Sequence, residues 1–164
     1  MGLTADIVES WRHPRRVLRR HLDHPRSEPL LFIFLFTFLL LAFVGQWPVA
    51  ARAAFVQPEV PLSQRLLAAG LGLLATIPMW YGLAALSHLA ARALRGQGDW
   101  YKARAALFWA LATVGPFMLL QGLVTGLIGP GAQAMQTGAV VGVIFVVYWI
   151  VMLIEAERVE AERE

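Results

Sequence analysis

"PLLFIFLFTFLLLAFVGQW", residues 29–47, decides the class of this chain. The stretch carries no charged residue and, as a helix, is long enough to cross a bilayer core of ~30 Å, which needs about 20 apolar residues. Three more apolar stretches follow it, at 66–91, 103–128 and 137–154, and Arg104 is their only charged residue. The sequence therefore predicts an all-α, polytopic membrane protein built as a four-helix transmembrane bundle.

The bulk composition supports this class. The chain has 164 residues, of which 58% are hydrophobic and 15% charged, and a mean hydropathy of +0.59. A typical soluble domain is about half apolar and a quarter charged, and a small soluble fold cannot bury so much apolar surface. The absence of cysteine excludes disulfides, thiolate metal sites and a cysteine nucleophile.

The basic residues are unevenly distributed between the predicted spans. Twelve of the 14 Lys and Arg residues lie in 1–28, 92–104 and 155–164, and only Arg52 and Arg65 lie on the other side. Positive residues mark the cytoplasmic side, so both termini are predicted to be cytoplasmic. An even number of spans requires the same arrangement.

The N-terminal arm, residues 1–28, precedes the membrane domain of residues 29–154. Its residues 3–22 form an amphipathic basic pattern that Pro14 should split into two helices. Such a helix beside a span is typical of a segment lying on the membrane surface, and a solvated tether is the alternative. Nucleic acid binding is not expected, because the first span holds the arm at the lipid.

The charged tail, residues 155–164, continues the fourth span. Its glutamates Glu155 and Glu157 either end the helix in water or pair with arginines and close the cytoplasmic face. Three polar residues are predicted N-caps of the first three spans, namely Ser27, Ser63 and Asp99. Trp47 marks an interface, after which Pro48 is expected to end the first span.

The polar segment "RGQGDWYK", residues 95–102, separates the second and third apolar stretches. We interpret it as a cytoplasmic turn whose basic residues contact anionic headgroups or a partner's acidic face, together with those of the arm. Gly-Gln-Gly at 96–98 has an alternative role as a phosphate cradle, but neither G-x-G-x-x-G nor G-K-[ST] is present. The candidate lipid- or partner-binding residues are Arg15, Arg16, Arg19, Arg92, Arg95 and Arg104.

Two prolines lie near the middle of their spans. Pro78 in the second span and Pro116 in the third each follow a threonine, Thr76 and Thr113. Paired interruptions at equal depth favour packed kinks, or alternatively a midplane site of a small transporter or channel, which Gln121 would also line.

Small residues recur at helical spacing in the last two spans. Gly122 and Gly126 lie in the third span, and Gly138 and Gly142 in the fourth. Because such spacing lets backbones approach closely, we predict that these two spans touch there. Self-association through one of these faces is the alternative.

Short motifs resemble the Yip (Ypt-interacting protein) family, short bacterial branch. They are "GQGDWYKARAALFWAL" at 96–111, "GLVTGLIGPG" at 122–131 and "QWP" at 46–48. The resemblance implies a multi-helix membrane domain with cytoplasmic termini. Eukaryotic members associate with prenylated small GTPases, but their Asp-Leu-Tyr-Gly-Pro pattern is missing here, so no residue inherits that partnership.

The sequence predicts a non-enzymatic scaffold that organises lipid or a partner in a bacterial inner membrane. No H-E-x-x-H, G-x-S-x-G or paired intramembrane carboxylate is present, and no cofactor or metal is expected. The expected partners are anionic lipid headgroups and a second membrane protein or another copy of the chain. A small transporter or channel is the alternative function.

Overall fold

Seven helices make up the regular structure of the part of the chain that the structure describes. A computed structural model describes residues 2–158, and within that range there is no strand. Four stretches are long and apolar enough to span a membrane: α3, α4 with α5, α6 and α7. This confirms the predicted fold class. The helices are α1 (Leu3–Ser10), α2 (Pro14–Leu22), α3 (Glu28–Val56), α4 (Leu62–Ala75), α5 (Ile77–Ala93), α6 (Trp100–Ile128) and α7 (Ala132–Arg158).

Two of the three predicted N-caps are present. The Ser27 hydroxyl accepts from the Leu30 N–H at 3.4 Å, and the Asp99 carboxylate accepts from the Lys102 N–H at 2.9 Å. These bonds satisfy amide donors that the first turn leaves open. The prediction for Ser63 is wrong, because α4 begins at Leu62 and its N-cap is Pro61.

The first span does not end at Pro48, as the sequence suggested. Helix α3 continues past this proline to Val56. Proline removes one helical hydrogen bond and crowds the preceding turn. Here Gly126 of α6 packs so closely on Pro48 that an added Cβ would overlap it. Pro48 therefore lies within the close contact between α3 and α6.

The second span consists of α4 and α5, which a single residue separates, and together they form one stretch long enough to cross a membrane. The break falls at Thr76, and Pro78 lies in the first turn of α5, where its missing N–H costs nothing. The Thr76 hydroxyl donates to the Leu73 carbonyl at 2.6 Å and accepts from the Trp80 indole at 3.0 Å. The third span, by contrast, runs through Pro116 as one helix.

Helix α6 lies at the centre of the bundle. It packs against α3, α5 and α7, while α4 packs against α3. Trp109 and Phe108 of α6 are fully buried, as is Phe34 of α3. Aromatic rings at edge-to-face spacing join them, with 4.7 Å between the centroids of Phe34 and Trp109. The core is therefore built around the first half of α6.

The N-terminal arm folds into the bundle, which corrects the predicted position on the membrane surface. Pro14 does split it into α1 and α2, and both helices contact α6. Its apolar face is buried against the protein: Val17 and Leu18 are fully buried and Ile7 is 6% exposed. An amphipathic pattern fixes an apolar face without specifying whether lipid or protein covers it.

The predicted glycine contact between the third and fourth spans also needs correction. A Cβ added at Gly122 would overlap the carbonyl of Gly45, and Gly126 faces Pro48, so both glycines face α3. In the fourth span, Gly138 does face α6, through the side chain of Gln121. Gly142 has no neighbour within 4 Å of an added Cβ. The close helix approach therefore joins the first and third spans.

Candidate functional site

The candidate site lies at the end of the bundle where the arm, the α5–α6 turn and the end of α7 meet, hereafter the arm end. Hydrogen bonds from aromatic side chains help to attach the arm there. The Trp11 indole donates to the Thr113 carbonyl, the Trp109 indole to the Ser10 hydroxyl and the Tyr148 hydroxyl to the Trp11 carbonyl, each at 3.0 Å. Thr113 lies thirteen residues, about 20 Å, along α6, so the arm covers nearly half of this helix.

His21 of α2 lies between aromatic rings of two spans. Its ring centroid is 4.4 Å from that of Trp109 and 5.1 Å from that of Phe34. Its Nε2 is 3.6 Å from a carboxylate oxygen of Asp6, beyond hydrogen-bond distance. Burial lowers the pKa of His21 below its ordinary value, because removal from water disfavours the charged ring.

Carboxylates of α1 hold the arginine Arg20 of α2. Its Nη2 donates to Asp6 Oδ1 at 2.6 Å and to Glu9 Oε2 at 3.0 Å. The hydrogen bond from Arg20 lowers the pKa of Glu9, and the same bond raises the pKa of Arg20. Arg20 therefore joins the two arm helices to each other.

The tail glutamate Glu155 pairs with the arm, as one of the two sequence interpretations predicted. Its Oε1 accepts from Arg19 Nε at 2.8 Å and also from Nη2. Glu155 is only 4% exposed. Since a buried carboxylate without a partner would be costly, this pair fixes α2 against α7.

An open cavity of about 580 Å³ lies between α2 and the end of α7, hereafter the basic cleft. Five arginines and two carboxylates line it. Arg16 has 77% of its side chain exposed, and Arg15 and Arg158 are exposed as well. Three of the six arginines predicted to bind lipid or a partner thus meet in one place. The lining residues are Arg15, Arg16, Arg19, Arg20, Asp23, His24, Glu155 and Arg158.

The other three predicted arginines lie outside the basic cleft. Arg104 donates to Glu28 at 2.6 Å and to the Trp100 carbonyl at 3.2 Å, which ties the start of α6 to the start of α3. Arg92 is exposed near the end of α5. Arg95 is exposed in the α5–α6 turn at φ 67°, a left-handed conformation that is uncommon for arginine.

The Gly-Gln-Gly turn binds an anion from its own chain. The Gly98 N–H donates to Glu157 Oε2 at 2.7 Å, and a Cβ at Gly96 or Gly98 would overlap that carboxylate. His88 Nδ1 lies 3.7 Å from the other carboxylate oxygen, and its ring packs against Trp100. The carboxylate of Glu157 thus occupies the place where a phosphate would bind if the turn were a phosphate-binding loop.

The polar residues of the proposed midplane site do not converge. Thr113 is fully buried and donates to the Trp109 carbonyl of its own helix at 2.8 Å. Gln121 donates to the Ala134 carbonyl of α7 at 2.9 Å, and Thr76 bonds within the α4–α5 break. Each side chain therefore satisfies a local backbone or helix contact.

Sequence reasoning missed the polar contacts under the arm. Asp6 is only 5% exposed, and Ser10 is fully buried. The Ser10 hydroxyl also donates to the Asp6 carbonyl at 2.8 Å. Their spacing of four residues places them on one helical face beside Ile7, and that polar pair next to an apolar residue was the available signal.

The comparisons with known proteins agree with this architecture. The model of the Yip1 domain matches residues 8–158, which include α2, all four spans and the described end of α7. Neither the curated proteins nor the solved structures gave a match. A match over this much of the chain establishes membership, and the chain therefore belongs to the Yip family of membrane proteins.

Proposed function

We propose that this protein is a non-enzymatic scaffold of a bacterial inner membrane, with both termini in the cytoplasm. Its basic cleft gathers anionic lipid headgroups or the acidic face of a partner protein. The arm end would then face the cytoplasm, and the proposal concerns what binds there.

The observation that carries the proposal is the cationic excess of the basic cleft. Arg19 and Arg20 pair with carboxylates of the chain, but Arg15 and Arg16 extend from α2 into solvent. Arg16 Nε lies 3.8 Å from a carboxylate oxygen of Glu9. Exposed arginines fixed on a docked helix are suited to phosphate or carboxylate groups.

The orientation is supported by the distribution of basic residues. Arg15 and Arg16 of the arm line the same cavity as Arg158, and Arg158 also lines a second cavity with Arg95. Positive residues next to spans favour the cytoplasmic side. Thirteen Arg against one Lys, with many Ala and Gly residues, is typical of a high-GC bacterium.

Two observations favour a binding role over catalysis. The buried hydroxyls of Ser10, Ser87 and Thr113 donate to carbonyls of their own helices, so they are engaged in helix contacts. Within residues 2–158, no group of three or more metal-ligating side chains is assembled. A scaffold needs neither a nucleophile nor a metal.

The alternative of a small transporter or channel has less support. It requires a cavity near Pro78 and Pro116 that Thr76, Thr113 and Gln121 line. Thr113 is instead fully buried among packed side chains, and Gln121 bridges to α7. A scaffold uses the exposed arm end and needs no opening at the midplane.

The test compares the double variant Arg15→Ala/Arg16→Ala with Arg65→Ala, a control at the opposite end of the bundle. Each protein, held in neutral nanodiscs, is mixed with vesicles of phosphatidylglycerol or phosphatidylcholine, and binding is measured by flotation at low and high salt. Arginines near an anionic surface contribute about 1 kcal/mol each, which predicts a loss of roughly 30-fold for the double variant.

The expected result is salt-sensitive binding to phosphatidylglycerol that Arg65→Ala retains. The wild type could instead bind a poly-glutamate peptide and no vesicles, with a loss of binding in Arg15→Ala/Arg16→Ala and none in Arg65→Ala. That result would assign the cleft to an acidic partner protein. Binding that neither salt nor the double variant weakens would contradict the proposal.

A further inference from the structure

A second cavity, of about 510 Å³, lies between α5 and α7 at the arm end, hereafter the α5–α7 groove. Side chains of Leu94, Ile150 and Ile154 line it and are themselves partly exposed, so the groove opens sideways toward the surrounding lipid. Ala90 and Ala91 form its α5 wall and leave it wide. Unlike the basic cleft, this groove is mainly apolar.

Contacts between α7 and α5 or its turn lie beyond both ends of the groove. Toward the middle of the bundle, Trp80 of α5 meets Phe145 of α7 with 6.3 Å between ring centroids, and Phe145 stacks on Trp149 at 5.7 Å. At the arm end, the bond from Gly98 N–H to Glu157 joins the α5–α6 turn to α7. The space is therefore a lateral opening between two spans that contact each other on either side of it.

Cationic groups lie at one end of this apolar space. Arg95 and Arg158 both line the groove and both are exposed, whereas Glu157, the carboxylate that also lines it, accepts from the Gly98 N–H. Trp149 lines the groove with its apolar ring, and its Nε1 is buried with no hydrogen-bond partner among residues 2–158. A ligand of this groove should therefore combine a hydrocarbon part and an anionic group.

We infer that the α5–α7 groove binds one phospholipid with an anionic headgroup. An acyl chain lies along Ala90 and Ile150, and the phosphate lies at Arg95 and Arg158, since guanidinium groups pair well with phosphate. This site is separate from the basic cleft and goes beyond the proposed scaffold role, although Arg158 borders both cavities.

The test uses two groove variants and two matched controls on the same helix and turn. Ala90→Trp fills the groove, whereas Ala93→Trp adds the same ring at an exposed position of α5 that does not line it. Arg95→Gln removes the charge at the groove, and Arg92→Gln removes an exposed charge three residues away. Native mass spectrometry then counts lipids retained by full-length protein given phosphatidylglycerol or phosphatidylcholine with identical acyl chains.

We expect one retained phosphatidylglycerol per chain and at least fivefold lower occupancy for Ala90→Trp and for Arg95→Gln. Both controls and Arg15→Ala/Arg16→Ala should retain the lipid, which separates this groove from the basic cleft. Equal retention of phosphatidylcholine, or occupancy that neither groove variant changes, would overturn the inference. Loss in Arg15→Ala/Arg16→Ala alone would also overturn it, while supporting the proposed function.

Discussion

The two halves of helix α6 have similar apolar sequences and different surroundings. In the arm-end half every residue from Ala105 to Gly115 is buried, because the arm, α3, α5 and α7 enclose it. In the far half, Leu120, Leu123 and Leu127 remain exposed, and the buried glycines face α3. One apolar helix is thus covered by protein along one half and left to lipid along the other.

The difference shows where this chain gains its tertiary specificity. The arm-end half presents alanines and two large aromatic residues, Phe108 and Trp109, to helices on all sides. Polar contacts such as Trp109 to Ser10 fix the arm there. The far half depends on the close backbone approach of Gly122 to Gly45. Substitutions in the two halves should therefore act differently.

The largest effect is expected in the enclosed half. Trp109→Ala removes a fully buried ring that contacts His21 and Phe34, and large-to-small changes of buried aromatics cost about 3–5 kcal/mol. Leu120→Ala, on the exposed part of the same helix, should change little. Denaturant unfolding in detergent, followed by circular dichroism, measures both. Equal costs for the two variants would show that the arm does not enclose α6.

A smaller loss is expected from the glycines of the far half. Gly122→Ala places a methyl group on the Gly45 carbonyl and forces α3 and α6 apart, at a cost of about 1–3 kcal/mol. Gly142→Ala is the matched control: its Cβ enters open space, and alanine favours a helix, so stability should stay equal or rise by up to about 1 kcal/mol. The same unfolding assay applies. A harmless Gly122→Ala would contradict the observed α3–α6 contact.

The polar contacts of the arm predict a loss of similar or smaller size. Ser10→Ala leaves the buried Trp109 indole without its acceptor and should cost about 1–2 kcal/mol. Thr137→Ala removes an exposed hydroxyl that bonds only to its own helix and serves as the control. Cleavage of the arm by a protease reports its release. Unchanged cleavage in Ser10→Ala would mean that this bond does not hold the arm.

The smallest effect is a pH dependence of arm docking. Because burial lowers the folded pKa of His21, the folded chain binds fewer protons than the unfolded chain, and stability falls as pH drops below the ordinary value of about 6.5. The loss ends once pH passes below the folded pKa. Arg20 and His24 add to this shift, and Asp6 opposes it. Protease cleavage of the arm should increase between pH 7.5 and 5.5, and His21→Phe should abolish that increase. The same increase in His21→Phe would assign it to another group.

The sequence predicted what depends on local chemistry. The number of spans followed from helix length and hydropathy, and the caps Ser27 and Asp99 followed from side-chain hydrogen bonding to the first turn. The pairing of Glu155 with an arm arginine was one of two predicted outcomes. In each case residues close in sequence, or an overall charge balance, carried the information.

The sequence could not predict what covers an apolar surface. The arm pattern identified Leu18 as part of an apolar face, and Leu18 is fully buried. The same pattern would arise whether lipid or α6 covered that face. Gly122 and Gly126 predicted a close approach, but spacing does not name the approaching helix. Pro48 lies inside a helix that continues to Val56, and its contact with Gly126 comes from another span.

The central claim is that the arm packs inside the bundle against α7 and the arm-end half of α6. The chain contains no cysteine, so Arg19→Cys/Glu155→Cys introduces a single reactive pair at an observed contact. A short bismaleimide added to native membranes should join residues 19 and 155 within one chain, as peptide mass spectrometry would show, while Arg19→Cys/Arg65→Cys stays unlinked. Linkage no higher than in that control would contradict the account and place the arm away from the bundle.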